Sequence, residues 1–192
     1  MAIEHINRRG DTYYLHEGKT KTGKPKYFFS RKRDGILATA IPAGFEVYED
    51  PDSRVTLRKI LPRVVTDEEV ATVERGVRNL AKQPHFVIDL KGHSIVVHLA
   101  DNSADAIQDV LFSRLGIQPN SFHLQALQRF TRYSPMMRFT LVDEENRQFS
   151  VDRWCFKGSI DDWLPLMDFG DLKSLVAKYC PHIGRESFYE LF

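Results

Sequence analysis

Short runs of β-prone residues come in pairs along this chain, and only a few turn-forming residues separate the two members of each pair. Phe45–Glu49 and Val55–Lys59 flank an Asp-Pro-Asp-Ser sequence, which favours a turn through the fixed φ of proline and the local hydrogen bonds of aspartate and serine. Residues 138–142 and 147–154 flank residues 143–146 in the same way. Because strands joined by tight turns pair antiparallel, the sequence predicts antiparallel hairpins.

Two further pairs extend this pattern. Residues 12–16 and 26–30 are aromatic and β-prone, and a polar, glycine-containing stretch between them predicts a hairpin with a long basic loop. Residues 86–90 and 94–99 are largely apolar and are separated by Lys91-Gly92-His93. A turn at Lys91-Gly92 would place His85 opposite His98.

Helical signals lie between the hairpins. Thr66 and Glu69 match a capping box, and the helix that they open should run to about Lys82, with Gly76 marking a close packing contact. Apolar residues recur at helical spacing over residues 103–115 and again near residues 172–179. Asp161, Asp162, Asp168 and Asp171 are interpreted as a loop and the start of this last helix, where Asp168 or Asp171 caps it.

These patterns predict an α+β fold: an amino-terminal β-hairpin module, followed by a mixed domain of antiparallel hairpins packed against about three helices. The boundary is placed in the stretch Leu61–Thr66, where Pro62 precedes the capped helix, giving domains of residues 1–63 and 64–192. Residues 1–63 carry 13 basic and 8 acidic side chains, and residues 64–192 carry 14 and 18, so the net charge changes from +5 to −4 across it. Basic character is therefore confined to the amino-terminal part.

The sequence contains no catalytic signature and predicts no cofactor and no metal site. Cys155, Cys180 and His182 fit no zinc spacing and predict buried thiols. His85 and His98 with Asp89 would be a poor metal site, because the carboxylate lies over about 10 Å along the strand from the histidines. With two cysteines, no apolar leader and no apolar stretch of about 18 residues, a cytoplasmic protein that does not enter the membrane is expected.

The strongest functional signal is the basic segment, residues 19–33, in which seven of fifteen residues are basic, none is acidic, and three consecutive aromatic residues occur. Clustered cations favour an anionic partner, and aromatic rings suit the bases of single strands. The sequence therefore predicts a non-enzymatic protein that binds nucleic acid or another polyanion; the alternative is a protein-interaction or structural module, with an acidic protein as partner and the hairpin solvated. The candidate binding residues are Lys19, Lys21, Lys24, Lys26, Tyr27, Phe28, Arg31, Lys32 and Arg33.

A second cluster of cations lies later in the chain and consists of Arg129, Arg132, Arg138, Arg147 and Arg153. Guanidinium groups could extend a phosphate-binding groove. Neutralisation by nearby acids, Asp152 and residues 143–145 among them, is the favoured interpretation, since surface ion pairs of this kind are common.

Overall fold

The computed structural model describes residues 1–101, 131–156 and 161–191. These residues divide into two compact units. The hairpin unit comprises residues 1–61 with residue 131, and the sheet unit comprises residues 62–101, 132–156 and 161–191. Both contain antiparallel sheets and the sheet unit adds helices, so the predicted α+β class is confirmed. The assignment of residues 1–63 and 64–192 to separate domains remains a prediction.

The hairpin unit contains two small sheets. In the first, β1 (Glu4–Ile6), β2 (Thr12–Lys19) and β3 (Pro25–Ser30) lie in the order β1-β2-β3. In the second, β4 (Phe45–Glu49) pairs with β5 (Val55–Lys59), and the predicted hairpin is confirmed with its bounds unchanged.

The side chain of Asn7 links these two sheets. Its carboxamide oxygen accepts hydrogen bonds from the backbone amides of Arg9 and Asp11, and its nitrogen donates to the carbonyl of Ser53 at 2.8 Å. Because Asn7 is buried, these bonds are shielded from water and hold the β1–β2 turn against the β4–β5 turn.

The sheet unit is built on a five-stranded antiparallel sheet in the order β10-β9-β8-β7-β6. Its strands are β6 (Phe86–Lys91), β7 (Ser94–Ala100), β8 (Tyr133–Asp143), β9 (Gln148–Cys155) and β10 (Asp162–Asp171). Phe139 lies opposite Val151, and Leu141 lies opposite Phe149. The predicted β8–β9 hairpin and its shared apolar face are therefore confirmed.

Two α-helices occur within the described ranges, α1 (Asp67–Asn79) and α2 (Leu172–Tyr179), whereas the sequence predicts about three. The helix predicted at residues 103–115 lies outside the described residues. Thr66 and Glu69 form the predicted capping box of α1, and Asp171 caps α2. Two 3-10 turns follow, Cys180–His182 and Glu186–Glu190. No helix of the described ranges combines the length and apolar character that crossing a membrane requires.

The core of the sheet unit joins one face of the sheet to the apolar stripes of both helices. Ile95 and Val97 of β7 belong to the same buried cluster as Val73 and Val77 of α1 and Val176 of α2. Alternate residues of a strand point to one face, and residues three or four apart share a face of a helix, so the periodic patterns in the sequence determine which side chains enter the core.

Two sequence predictions about this unit are wrong. The β6–β7 turn is Gly92-His93, because Lys91 pairs with Ser94, so His98 lies opposite Val87 and not opposite His85. Asp162 and Asp168 do not occupy a loop, because residues 162–171 form β10; Asp161 precedes this strand. A register shift between Pro165 and Phe169 and a positive φ of 52° at Met167 interrupt its strand pattern.

Candidate nucleic-acid interface

The basic hairpin comprises β2, β3, the loop between them and residues 31–33. Lys19 pairs with Pro25 at the loop end of the ladder, and Tyr14 pairs with Ser30 at the other end. The loop is closed by its own hydrogen bonds: the Thr20 amide donates to the Lys24 carbonyl at 2.8 Å, and the Gly23 amide donates to the Thr20 carbonyl at 2.9 Å.

Further contacts make this loop a compact turn. The Lys24 amide donates to the Thr20 hydroxyl oxygen at 3.1 Å, and the hydroxyls of Thr20 and Thr22 lie 3.0 Å apart. Gly23 has a φ of +79°, a left-handed conformation that glycine adopts without steric cost. The loop therefore has a defined shape from which Lys21 and Lys24 extend into solvent.

All seven cationic side chains of the basic segment are exposed. Five of them are lysines, and no carboxylate of the described residues lies within 4.0 Å of any of their ammonium groups. These lysines are Lys19, Lys21, Lys24, Lys26 and Lys32. With the described acids, the two arginines make only long ion pairs, Arg31 with Asp11 at 3.8 Å and Arg33 with Glu4 at 3.9 Å. The described acids therefore leave most of the positive charge of this hairpin uncompensated.

The aromatic residues of β3 divide between the two faces of the hairpin. Tyr27 lies opposite Glu17 and Phe29 lies opposite the fully buried Leu15, so both belong to the face that contributes to the core of the unit. Phe28 lies opposite His16 on the other face and is 43% exposed.

Tyr27 has an acidic neighbour on its own face. Its hydroxyl donates to Glu17 at 3.4 Å, and partial burial together with this carboxylate raises the pKa of the phenol. A negative charge beside Tyr27 makes this face the less suitable one for phosphate.

Cations lie over several rings of the hairpin. The Lys26 ammonium is 5.5 Å from the centroid of Phe28, Arg31 is 5.8 Å from that of Tyr13, and Arg33 is 5.6 Å from that of Tyr14. Such contacts are weak at exposed sites. They orient the cations over the hairpin without neutralising them.

Three arginines of the second cluster make hydrogen bonds or ion pairs within the sheet unit. Arg138 donates to Asp152 at 3.0 Å, so the predicted neutralisation by this aspartate is confirmed. The guanidinium group of Arg138 also lies 4.6 Å from the centroid of the Trp163 ring. Arg147 pairs with Glu69, not with the neighbouring acids of residues 143–145, and the buried Arg153 donates to the Leu191 carbonyl at 2.7 Å. Arg132 is exposed, and Arg129 lies outside the described residues.

Both cysteines of the sheet unit are buried thiols. Cys155 and Cys180 are buried and unpaired, as predicted, and burial raises the pKa of Cys180 to about 12. Since the thiolate is the nucleophile, a thiol with so high a pKa is unreactive at neutral pH. Within the described ranges, no group of three or more histidine, cysteine, aspartate or glutamate side chains is arranged to hold a metal ion.

Sequence reasoning missed two residues of the hairpin, His16 and Gly18, which lie beside Phe28 and Lys26 across the strand pair. The signal that would have found them is the strand register, which requires β2 to extend to Lys19. Sequence reasoning also missed a cleft of about 530 Å³ in the sheet unit. Five separate segments of the chain line this cleft. In this cleft the Ser134 hydroxyl donates to Asp101 at 2.7 Å.

Comparison of the chain with protein-family models, with curated proteins and with solved structures found no match in any of the three. Function is therefore inferred from the side chains of the basic hairpin and their geometry.

Proposed function

We propose that this protein binds nucleic acid through the basic hairpin and acts by binding, not by catalysis. One observation carries the proposal: five exposed lysines of one hairpin have no carboxylate partner among the described residues. A cytoplasmic location is part of the same proposal, and two unpaired cysteines are typical of a reducing compartment.

The lysines favour a phosphate backbone for an energetic reason. Like charges held close together repel one another, and no described acid relieves this repulsion at Lys19, Lys21, Lys24, Lys26 or Lys32. A nucleic acid supplies a regular row of negative charges and gains entropy by releasing its condensed counterions when lysines replace them. Nearby hydroxyls of Thr20 and Thr22 are additional donors for phosphate oxygens.

An acidic protein is the competing partner. β3 is at one end of the three-stranded sheet, and an edge strand can accept an added strand from another chain. The exposed Phe28 favours nucleic acid over this alternative, because base rings stack on aromatic rings whereas acidic side chains do not.

Fluorescence anisotropy with labelled oligonucleotides tests the proposal. The triple variant Lys21→Glu, Lys24→Glu, Lys26→Glu should bind at least about tenfold more weakly than the natural protein at equal salt, because three phosphate contacts become repulsive. Its melting temperature should not change, since all three side chains are exposed and none of them pairs with a described acid.

A matched control separates the effect of charge in the basic hairpin on affinity from the effect of the net charge of the protein. Arg54→Glu, Lys82→Glu, Lys173→Glu changes the net charge by the same amount at three exposed cations outside the basic hairpin, and it should retain nearly full affinity. Equal affinity of the triple variant and the natural protein would refute the nucleic-acid site. Binding to polyglutamate with no binding to any oligonucleotide would support the acidic-protein alternative instead.

A further inference from the structure

We infer that Phe28 is a base-stacking platform and that the basic hairpin selects single-stranded over double-stranded nucleic acid. This inference rests on the proposed function and names its substrate class. The ring of Phe28 is 43% exposed and lies parallel to that of His16, with centroids 5.1 Å apart and an interplanar angle of 12°.

The support beneath Phe28 is rigid. His16 is 5% exposed, and its Nε2 donates to the carbonyl oxygen of Lys32 at 2.9 Å. A Cβ at Gly35 would lie 3.6 Å from His16 Nδ1, so the chain after β3 closes over the imidazole. A ring that is already held in place loses little freedom when a ligand stacks on it.

Glycine at position 18 leaves space beside the platform. Gly18 pairs with Lys26 and shares the face of His16 and Phe28. A Cβ built at Gly18 would be 4.0 Å from Phe28 Cε1, so any larger side chain there would extend along the ring. With hydrogen at this position, the flank of Phe28 toward the loop is open to a base.

Lys26 completes the arrangement. Its ammonium group lies 5.5 Å from the centroid of Phe28 and no described carboxylate holds it there. Because the lysine side chain is flexible, a base can displace the ammonium from the ring, and the ammonium can then contact the phosphate of the same nucleotide. Stacking and charge neutralisation would thus occur on one face of the hairpin.

This geometry favours single strands because the faces of bases in a duplex are already stacked on one another. Unpaired bases present a free π-face, and an aromatic side chain that stacks on one base contributes roughly a five- to 140-fold gain in affinity. Phosphate contacts from the lysines are available to both forms. The loss of single-strand affinity on removal of the Phe28 ring, compared with the loss of duplex affinity, therefore measures the contribution of stacking.

The test compares affinities for an oligothymidylate and for a duplex of equal length, by anisotropy at constant salt. Phe28→Ala should weaken single-strand binding about tenfold and duplex binding less than about twofold. Phe28→Tyr, which keeps an aromatic ring, should retain single-strand affinity. Phe45→Ala is the matched control, since Phe45 is also an exposed phenylalanine of the hairpin unit but lies in β4; it should change neither affinity.

Gly18→Val keeps the ring but covers its flank, and it should reduce single-strand affinity while duplex affinity stays constant. Natural single-strand affinity in Gly18→Val or in Phe28→Ala would overturn the inference, and so would equal losses for both ligands. If the natural protein binds both ligands equally and Phe28→Ala changes neither, the inference fails while the proposed function stands. If it binds neither ligand, both fail.

Discussion

At the scale of single residues, some cations of this protein have acidic partners and others have none among the described residues. Arg147 donates to Glu69 and to the Val64 carbonyl, so its charge is neutralised within the sheet unit. Lys21 extends from a loop with no described acid within ion-pair distance. The sequence predicts that Arg147 is neutralised, but it does not identify Glu69 as the partner, because an ion pair between residues 69 and 147 depends on tertiary contacts.

The packing around Gly76 leaves no space for a side chain. A Cβ there would lie 2.3 Å from Val176 Cγ1 and 3.1 Å from Cys180 Sγ, which confirms the predicted close contact. Overpacking costs about 1–3 kcal/mol, while alanine gains up to about 1 kcal/mol in helix propensity. We expect Gly76→Ala to lower the free energy of unfolding by about 1–2 kcal/mol, measured by denaturant titration.

Asn79→Ala is the control for this substitution, because Asn79 is exposed on the same helix and alanine there gains propensity without a clash. A Gly76→Ala protein as stable as the natural one would show that α1 and α2 can separate at little cost.

At the scale of elements, local sequence patterns were sufficient to predict those strands and helix ends that residues near in sequence determine. The β4–β5 and β8–β9 hairpins and the start of α1 follow from turn residues, alternation and capping. β10 was missed because Pro165 and the positive φ of Met167 break the alternation, and pairing with β9 restores it on both sides of the irregularity. The β6–β7 register was misplaced because both Lys91-Gly92 and Gly92-His93 can form a two-residue turn.

Glu69 connects two of these elements, the start of α1 and the β8–β9 turn. Its carboxylate accepts from the Thr66 amide at 2.8 Å and from Arg147 Nε at 2.9 Å. We expect Glu69→Gln to lower the free energy of unfolding at pH 7 by about 1–3 kcal/mol, since it weakens a partly buried charged pair and the cap together. Glu68→Gln, which disturbs only an exposed pair with Arg75, should cost less than about 1 kcal/mol.

The same contacts predict a pH dependence. Burial acts to raise the pKa of Glu69, but hydrogen bonds from Arg147 and Thr66 outweigh it and hold the pKa below its ordinary value of 4.5. A lowered pKa in the folded state means that the stabilisation is complete above about pH 4.5 and is lost as the pH falls through the folded value. The stability difference between Glu69→Gln and the natural protein should therefore shrink in acid; a difference that stays constant between pH 7 and pH 3 would contradict it.

At the scale of the whole molecule, the uneven distribution of charge is the feature that was readable from the sequence. Residues 1–63 carry a net +5 and the remainder −4, and the cations of residues 19–33 are all exposed in the structure. Charge is a property of residue type, so the basic segment could be found without coordinates. The His16–Phe28 stack could not, because it depends on the β2–β3 register and on the Lys32 carbonyl that holds the imidazole.

The salt dependence of oligothymidylate binding tests the central claim most directly. Each phosphate neutralised on a single strand contributes about −0.7 to the slope of log affinity against log salt concentration, so five unpaired lysines predict a slope near about −3.5 between about 50 and about 200 mM salt. The variant Lys21→Glu, Lys24→Glu, Lys26→Glu should have a slope shallower by about 2. No binding at low salt, or the same slope in the variant and the natural protein, would contradict the account.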